Sequence, residues 1–208
     1  MLKKVVYILP FLFSLTSNAN YHNGAFVSLY TGFDFNAKIQ STINNEVYDD
    51  KYEVSPLVGG VVGYDYNDLS FYISYNRRSF DSTEQGEYGN KLNIGIALVN
   101  IAYNFHVVNP SFVPYVSFGV GIAQSQIKFD NVLTLKGHTS DTQDIENAFT
   151  YQVKGGARLF LTQSLAVFAD ARFTSIQPTD YTTNQLFASG STVRMQFFSV
   201  NGGLSYFF

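Results

Sequence analysis

Eight segments of the chain alternate apolar and polar residues with a period of two, the mark of a β-strand whose two faces meet different surroundings. In residues 24–36, Ala25, Val27, Leu29, Thr31, Phe33 and Phe35 oppose Phe26, Ser28, Tyr30, Gly32 and Asp34. In residues 57–66, Val58, Val62, Tyr64 and Tyr66 oppose Gly59, Gly63 and Asp65. The pattern recurs over 69–78, 92–105, 114–123, 149–159, 165–173 and 198–208. In residues 92–105 both phases are apolar: Leu92, Ile94, Ile96 and Leu98 precede Val99, Ile101, Tyr103 and Phe105 in the other phase. That switch predicts a β-bulge near Leu98-Val99, since one inserted residue re-aims a strand.

The connections between the segments alternate in length. Short ones fall at Asn67-Asp68, 106–113 and 162–164; long ones at 37–56, 80–90, 124–147 and 174–192. Short turns on one rim and long loops on the other are the plan of an outer-membrane barrel, with the short rim toward the periplasm. An even strand count also returns both termini to that rim. The expected fold is all-β: an eight-stranded antiparallel up-and-down transmembrane β-barrel in one domain.

Charge then fixes which face meets lipid. One phase of the strands carries Asp34, Asp65, Arg78, Lys154, Arg158, Asp170 and Arg172, while the apolar phase is almost free of charge. A cationic side chain on the lipid face near the midplane costs roughly 2–4 kcal/mol. These seven residues therefore point inward and pair there, Lys154 with Arg158, Arg172 and Asp170. The interior of so narrow a barrel is filled by side chains, so a polar, ion-paired plug is expected in place of a pore. Gly59, Gly63, Gly119, Gly121, Gly156 and Gly203 share the inner phase and would make room for the Arg, Lys and Tyr side chains.

Composition agrees. Tyr and Phe number 15 and 20, Trp and Cys are absent, and charged residues make up 14%; without cysteine neither a disulfide nor a thiolate metal site can form. A mean hydropathy of −0.01 is too polar for a helical membrane protein. The longest stretch without Lys, Arg, Asp or Glu, residues 92–127, is interrupted by Asn and Pro. The N-terminus reads as a secretory signal peptide: Lys3 and Lys4, a short apolar run over 5–15, then Ser17-Asn18-Ala19 as the cleavage site. Residues 1–19 are thus expected to be the leader and 20–208 the barrel domain, with a formal charge of −5 after cleavage.

A soluble barrel with its apolar face inward would show the same alternation. The last strand argues against it: Leu204-Ser205-Tyr206-Phe207-Phe208 would expose an aromatic edge to water. Three segments carry a family resemblance. They are Leu98-Val99-Asn100-Ile101-Ala102-Tyr103-Asn104-Phe105 with Pro114-Tyr115-Val116 and Gly119-Val120-Gly121, then Phe149-Thr150-Tyr151-Gln152-Val153-Lys154-Gly155-Gly156, and the C-terminal aromatic strand. In them the chain resembles the opacity-type and surface-antigen family of eight-stranded bacterial outer-membrane β-barrel proteins. The resemblance implies location in the cell outer membrane, with the loops at the cell surface. It also implies that the last strand, through Tyr206 and Phe208, is the signal read by the outer-membrane assembly machinery.

No catalytic constellation emerges. His22, His106 and His138 fall far apart in the barrel scheme, and His138 beside Ser140 and Asp141 is a weak echo of lipid-modifying barrel enzymes. No cofactor or metal is expected, and the chain is not expected to be an enzyme. The four long loops sum to a net −8, which disfavours nucleic acid and sulfated glycans as partners. The function expected is a surface-antigen or structural role, with adhesion to a host surface receptor through the loops. Tyr48, Tyr52, Tyr88, Tyr181 and Phe187 are the candidate loop contacts. A narrow porin for small solutes and an outer-membrane lipid-modifying enzyme are the alternatives.

Overall fold

The computed structural model describes residues 23–43, 46–52, 54–81, 90–105, 111–134, 137–180 and 192–208. Side chains are described for 23–35, 54–79, 93–105, 111–126, 147–177 and 194–208. Among the described residues nine strands form one antiparallel sheet: β1 (Gly24–Ile43), β2 (Glu46–Tyr52), β3 (Ser55–Tyr66), β4 (Leu69–Asp81), β5 (Asn90–Asn104), β6 (Phe112–Thr134), β7 (Gly137–Phe160), β8 (Leu165–Asp180) and β9 (Thr192–Phe207). β1 pairs with both β2 and β3, each strand from β3 onward pairs with the next, and β1 also pairs with β9, which closes the barrel on eight strands. The short β2 continues the β3 edge of β1 outward, with Ala37 opposite Tyr52 and Ile43 opposite Glu46.

The register fixes the dimensions. One row of cross-strand partners runs from Gly24 through Asp65, Ser70, Ala102, Ser117, Lys154, Arg172 and Ser199 to Asp34. The walk returns to β1 ten residues higher, a shear of ten. Eight strands spaced 4.8 Å apart at that shear tilt by about 40° and enclose a backbone radius of about 8 Å. That radius leaves room for side chains and little else.

The outward face is a belt of exposed apolar residues, among them Leu29, Val58, Val62, Ile73 and Val99, each more than 60% exposed. Toward the short turns the belt ends in Tyr64, Tyr66, Tyr103, Phe105, Phe112, Tyr206 and Phe208, and toward the other rim in Phe33, Phe35, Phe149 and Phe198. Two aromatic girdles around an aliphatic band are the surface of a lipid-embedded barrel. Arg77 also points outward, at the height of the second girdle, where a charge on the lipid face costs little. Among the described residues no helix is long and apolar enough to cross a membrane.

Three expectations need correction. β5 carries no bulge: its pairing with β4 and with β6 is unbroken, and Ile94, Ile96 and Leu98 share the inner phase with Asn100, Ala102 and Asn104. The register shifts lie between Phe35 and Lys38, Ala123 and Ser125, Phe129 and Val132, and Ile176 and Thr179. All are at or beyond the rim, where strands leave the constraint of the wall. Second, much of the expected loop length is strand. β6 and β7 stay paired out to Thr134 and Gly137, and β8 pairs with β9 as far as Asp180 and Thr192. Third, the lumen is not polar throughout. Ile94, Ile96, Leu98, Ala123, Ala148, Ile176, Met195 and Phe197 form a buried apolar cluster at the end away from the short turns.

The turn Asn67-Asp68 takes φ 52° at Asn67, a left-handed conformation that asparagine tolerates. Asn23 holds it, the Asn67 amide donating to the Asn23 side-chain oxygen at 2.6 Å.

Candidate functional site

The seven charged residues singled out by phase all lie inside the barrel, each less than a tenth exposed. Among the described residues they form three ion pairs. Arg78 Nη1 stands 3.1 Å from Asp34, and Ser199 donates to the same oxygen at 2.5 Å. Arg158 Nη1 stands 2.7 Å from Asp65, and its Nη2 donates to Ser70. Arg172 binds Asp170 with two donors, Nε at 2.6 Å and Nη2 at 3.0 Å. Asp170 further accepts from the Tyr115 hydroxyl at 3.0 Å and the Asn201 amide at 2.9 Å. Those four bonds fill the roughly four acceptor sites of a carboxylate.

The expected association of Lys154 with Asp170, Arg158 and Arg172 as one ion-paired group is therefore corrected in part. Arg158 takes Asp65, 93 residues away in sequence, and among the described residues no carboxylate lies within ion-pair distance of Lys154. Its ammonium sits 4.6 Å over the Tyr72 ring. The aromatic faces do similar duty elsewhere: Arg172 lies 4.0 Å over Tyr30, Arg78 4.9 Å over Phe197 and Arg158 5.2 Å over Phe26. Such contacts contribute about 0.5–2 kcal/mol each, against several kcal/mol to desolvate one ion. The carboxylates and hydroxyls, more than the rings, keep these charges inside.

Glycines make the close packing possible at two places in particular. A Cβ on Gly59 would strike the ring of Tyr30, and one on Gly203 would strike the β1 backbone and Phe168. Of the Arg, Lys and Tyr side chains expected there, the tyrosines Tyr30 and Tyr72 take the space, together with Phe168, Asn100 and Asp170.

Phase alone also pointed to residues that carried no charge to draw attention. Phe207 is buried, stacked 5.4 Å from Phe26 and tilted against Phe160 at 5.0 Å. Ser28 and Ser205 bond across the β1–β9 seam at 2.8 Å. Asn100 donates to Ser74 at 2.9 Å, and Tyr72 meets Ser117 at 2.5 Å.

Tyr206 and Phe208 face outward on the last strand, their rings 5.1 Å apart, and the Phe208 amide donates to the Ala25 carbonyl at 3.0 Å. Tyr48 and Tyr52 lie on β2, opposite Ser41 and Ala37. Tyr88, Tyr181 and Phe187 fall outside the described residues, as do residues 1–22, His22 and His106. His138 is on β7, opposite Leu133. Among the described residues no three His, Asp or Glu side chains gather as metal ligands would.

No curated protein matches the chain. Among solved structures, Neisserial surface protein A is 18% identical, with 89% of this chain and 97% of that one covered at a TM-score of 0.54. The outer membrane protein OprG from Pseudomonas aeruginosa is 14% identical, with 90% and 97% covered at a TM-score of 0.53. At such identities the likeness is one of fold. The family model of the outer membrane protein beta-barrel domain matches residues 9–206. An outward apolar belt between aromatic girdles, a closed eight-stranded wall and that match agree: the chain belongs to the bacterial outer-membrane β-barrel family.

Proposed function

We propose that the chain is a surface protein whose closed barrel anchors a recognition surface built on strands outside the membrane. The observation that carries this reading is the extension of β6 and β7 beyond the wall. Their pairing runs on from Ser125–Ile145 to Thr134–Gly137, about 30 Å along the strand at 3.3 Å per residue. β7 pairs with β8 only up to Thr150 and Ile176, so the β6–β7 arm stands free of β8. β1 and β2 form a second arm, paired to Ile43 and Glu46. Backbone pairing pre-orders these arms, which lowers the entropy lost on binding.

A surface-antigen role with adhesion to a host-cell receptor follows, with Tyr48 and Tyr52 as contacts on the β1–β2 arm and Tyr88, Tyr181 and Phe187 on the remaining connections. Neisserial surface protein A, by its name, is also a surface protein. The arms and connections are acidic, which suits a protein or basic ligand and not nucleic acid. The lipid of the outer membrane and the outer-membrane assembly machinery are the other partners, and residues 1–19 are the leader that delivers the chain to them. A lumen packed with side chains speaks against the narrow porin. For the lipid-modifying enzyme, His138, Ser140 and Asp141 remain the residues to assay.

Binding of the purified, refolded protein to host cells tests the reading, against a variant with residues 126–143 replaced by a two-residue turn. Loss of binding with the barrel still folded supports it. Equal binding by both, or none by the wild type, removes the β6–β7 arm from the role.

A further inference from the structure

Inside the wall the described residues place four cations, Arg78, Lys154, Arg158 and Arg172, against three carboxylates, Asp34, Asp65 and Asp170. The excess falls on Lys154. It is 6% exposed, and the register sets it directly opposite Arg172 on the same face of the sheet, an arrangement that like charges disfavour. Asp170 cannot be shared, because Arg172, Tyr115 and Asn201 already occupy it. Asp34 and Asp65 are held by Arg78 and Arg158.

A cavity of about 20 Å³ lies next to this group. Lys154, Arg158 and Arg172 line it together with Tyr72, Ser28 and Ser205. With Tyr115 as a fourth hydroxyl, three cationic groups and four hydroxyl groups, beside the apolar Phe26, Val61 and Phe168, surround one space in the half of the lumen nearer the short turns, with no carboxylate among its lining residues. A volume of roughly 10–15 Å³ by this measure admits one water, so the cavity suits a monatomic guest and excludes phosphate or sulfate.

The geometry points to a buried halide site, in which one chloride ion balances Lys154 between the cationic side chains of the lumen. The ion accepts from the Lys154 ammonium and from hydroxyls in the same wall, and brings the charge of the seven lumen residues to zero. The site is independent of the arms and of any receptor.

The test uses the refolded full barrel in detergent. Crystals grown in bromide in place of chloride should show one anomalous peak in the lumen, in contact with Lys154 Nζ. Urea unfolding at constant ionic strength, with chloride exchanged for gluconate, should reveal linkage. Once chloride exceeds its dissociation constant, each tenfold rise should raise the folding constant up to tenfold. Lys154→Met removes the unpaired charge while keeping length, so the barrel should fold and both signals should vanish. A lumen without bromide and unfolding indifferent to chloride would overturn the proposal, leaving water as the guest. A lumen peak that persists in K154M would overturn the role of Lys154.

Discussion

Asp170→Asn changes one atom type at the most heavily bonded carboxylate in the lumen. The wild-type side chain takes two donors from Arg172, one from Tyr115 and one from Asn201, at 2.6–3.0 Å. The amide keeps the shape but offers one acceptor oxygen, and its NH2 faces other donors. Arg172, 1% exposed, loses its counter-charge while Lys154 stands opposite it. Removing one partner of a buried pair costs about 3–5 kcal/mol, which lowers the folding constant by roughly 10²–10⁴. With a urea slope of about 2 kcal/mol/M, the midpoint should fall by roughly 2 M in reversible unfolding from micelles. Adding Arg172→Met should recover most of the loss, because an apolar side chain needs no counter-charge. If D170N unfolds within about 1 kcal/mol of wild type at unchanged slope, the lumen pairing is not what holds these strands.

Three further outcomes separate the faces and the ends of the chain. Deleting Phe208, or making Tyr206 and Phe208 polar, should reduce assembled barrel in cells while leaving refolding in micelles largely intact; Phe207→Ala, which removes the buried contacts to Phe26 and Phe160, should cost about 3–5 kcal/mol in micelles. Normal surface levels of the Phe208 deletion would refute the assembly role. Because the chain has no native cysteine, single cysteines report phase: Val99→Cys should be reached by lipid-phase quenchers and Leu98→Cys should not, and quenching at both would restore a bulge. Mass spectrometry of protein from outer membranes should find Asn20 at the N-terminus; a chain still carrying Met1 would contradict the leader.

Most of the wall was legible because lipid and lumen demand opposite chemistry on alternate residues. Tyr64 and Asp65, or Phe173 and Arg172, can be assigned faces by inspection, and the structure puts them there. β5 was misread because both of its phases are apolar. Ile94, Ile96 and Leu98 look like lipid contacts, yet they join Met195 and Phe197 in the upper lumen, which a narrow barrel can fill with hydrocarbon as well as with charge. The arms read as loops in the sequence because strands beyond the membrane lose the alternation that marks them; residues 138–144 are polar in both phases. The partner of Arg158 was hidden for a different reason. Which side chains converge depends on how far the hydrogen-bonded rows climb around the wall, a global quantity absent from any one strand. The shear carries Asp65 toward Arg158 and leaves Lys154 facing Arg172.

Conductance of the refolded protein in planar lipid bilayers asks most directly whether the barrel is an anchor or a conduit. Below the rim the lumen is occupied by three ion pairs and stacked Phe26, Phe160 and Phe207, and above them by the apolar cluster around Ile94, Ile96 and Phe197. The expected result is a silent membrane, with no stable ion-conducting steps of porin size. Reproducible open channels that persist across preparations, and that change selectivity when Lys154 or Asp170 is neutralised, would contradict the closed lumen and move the function from the arms to the pore.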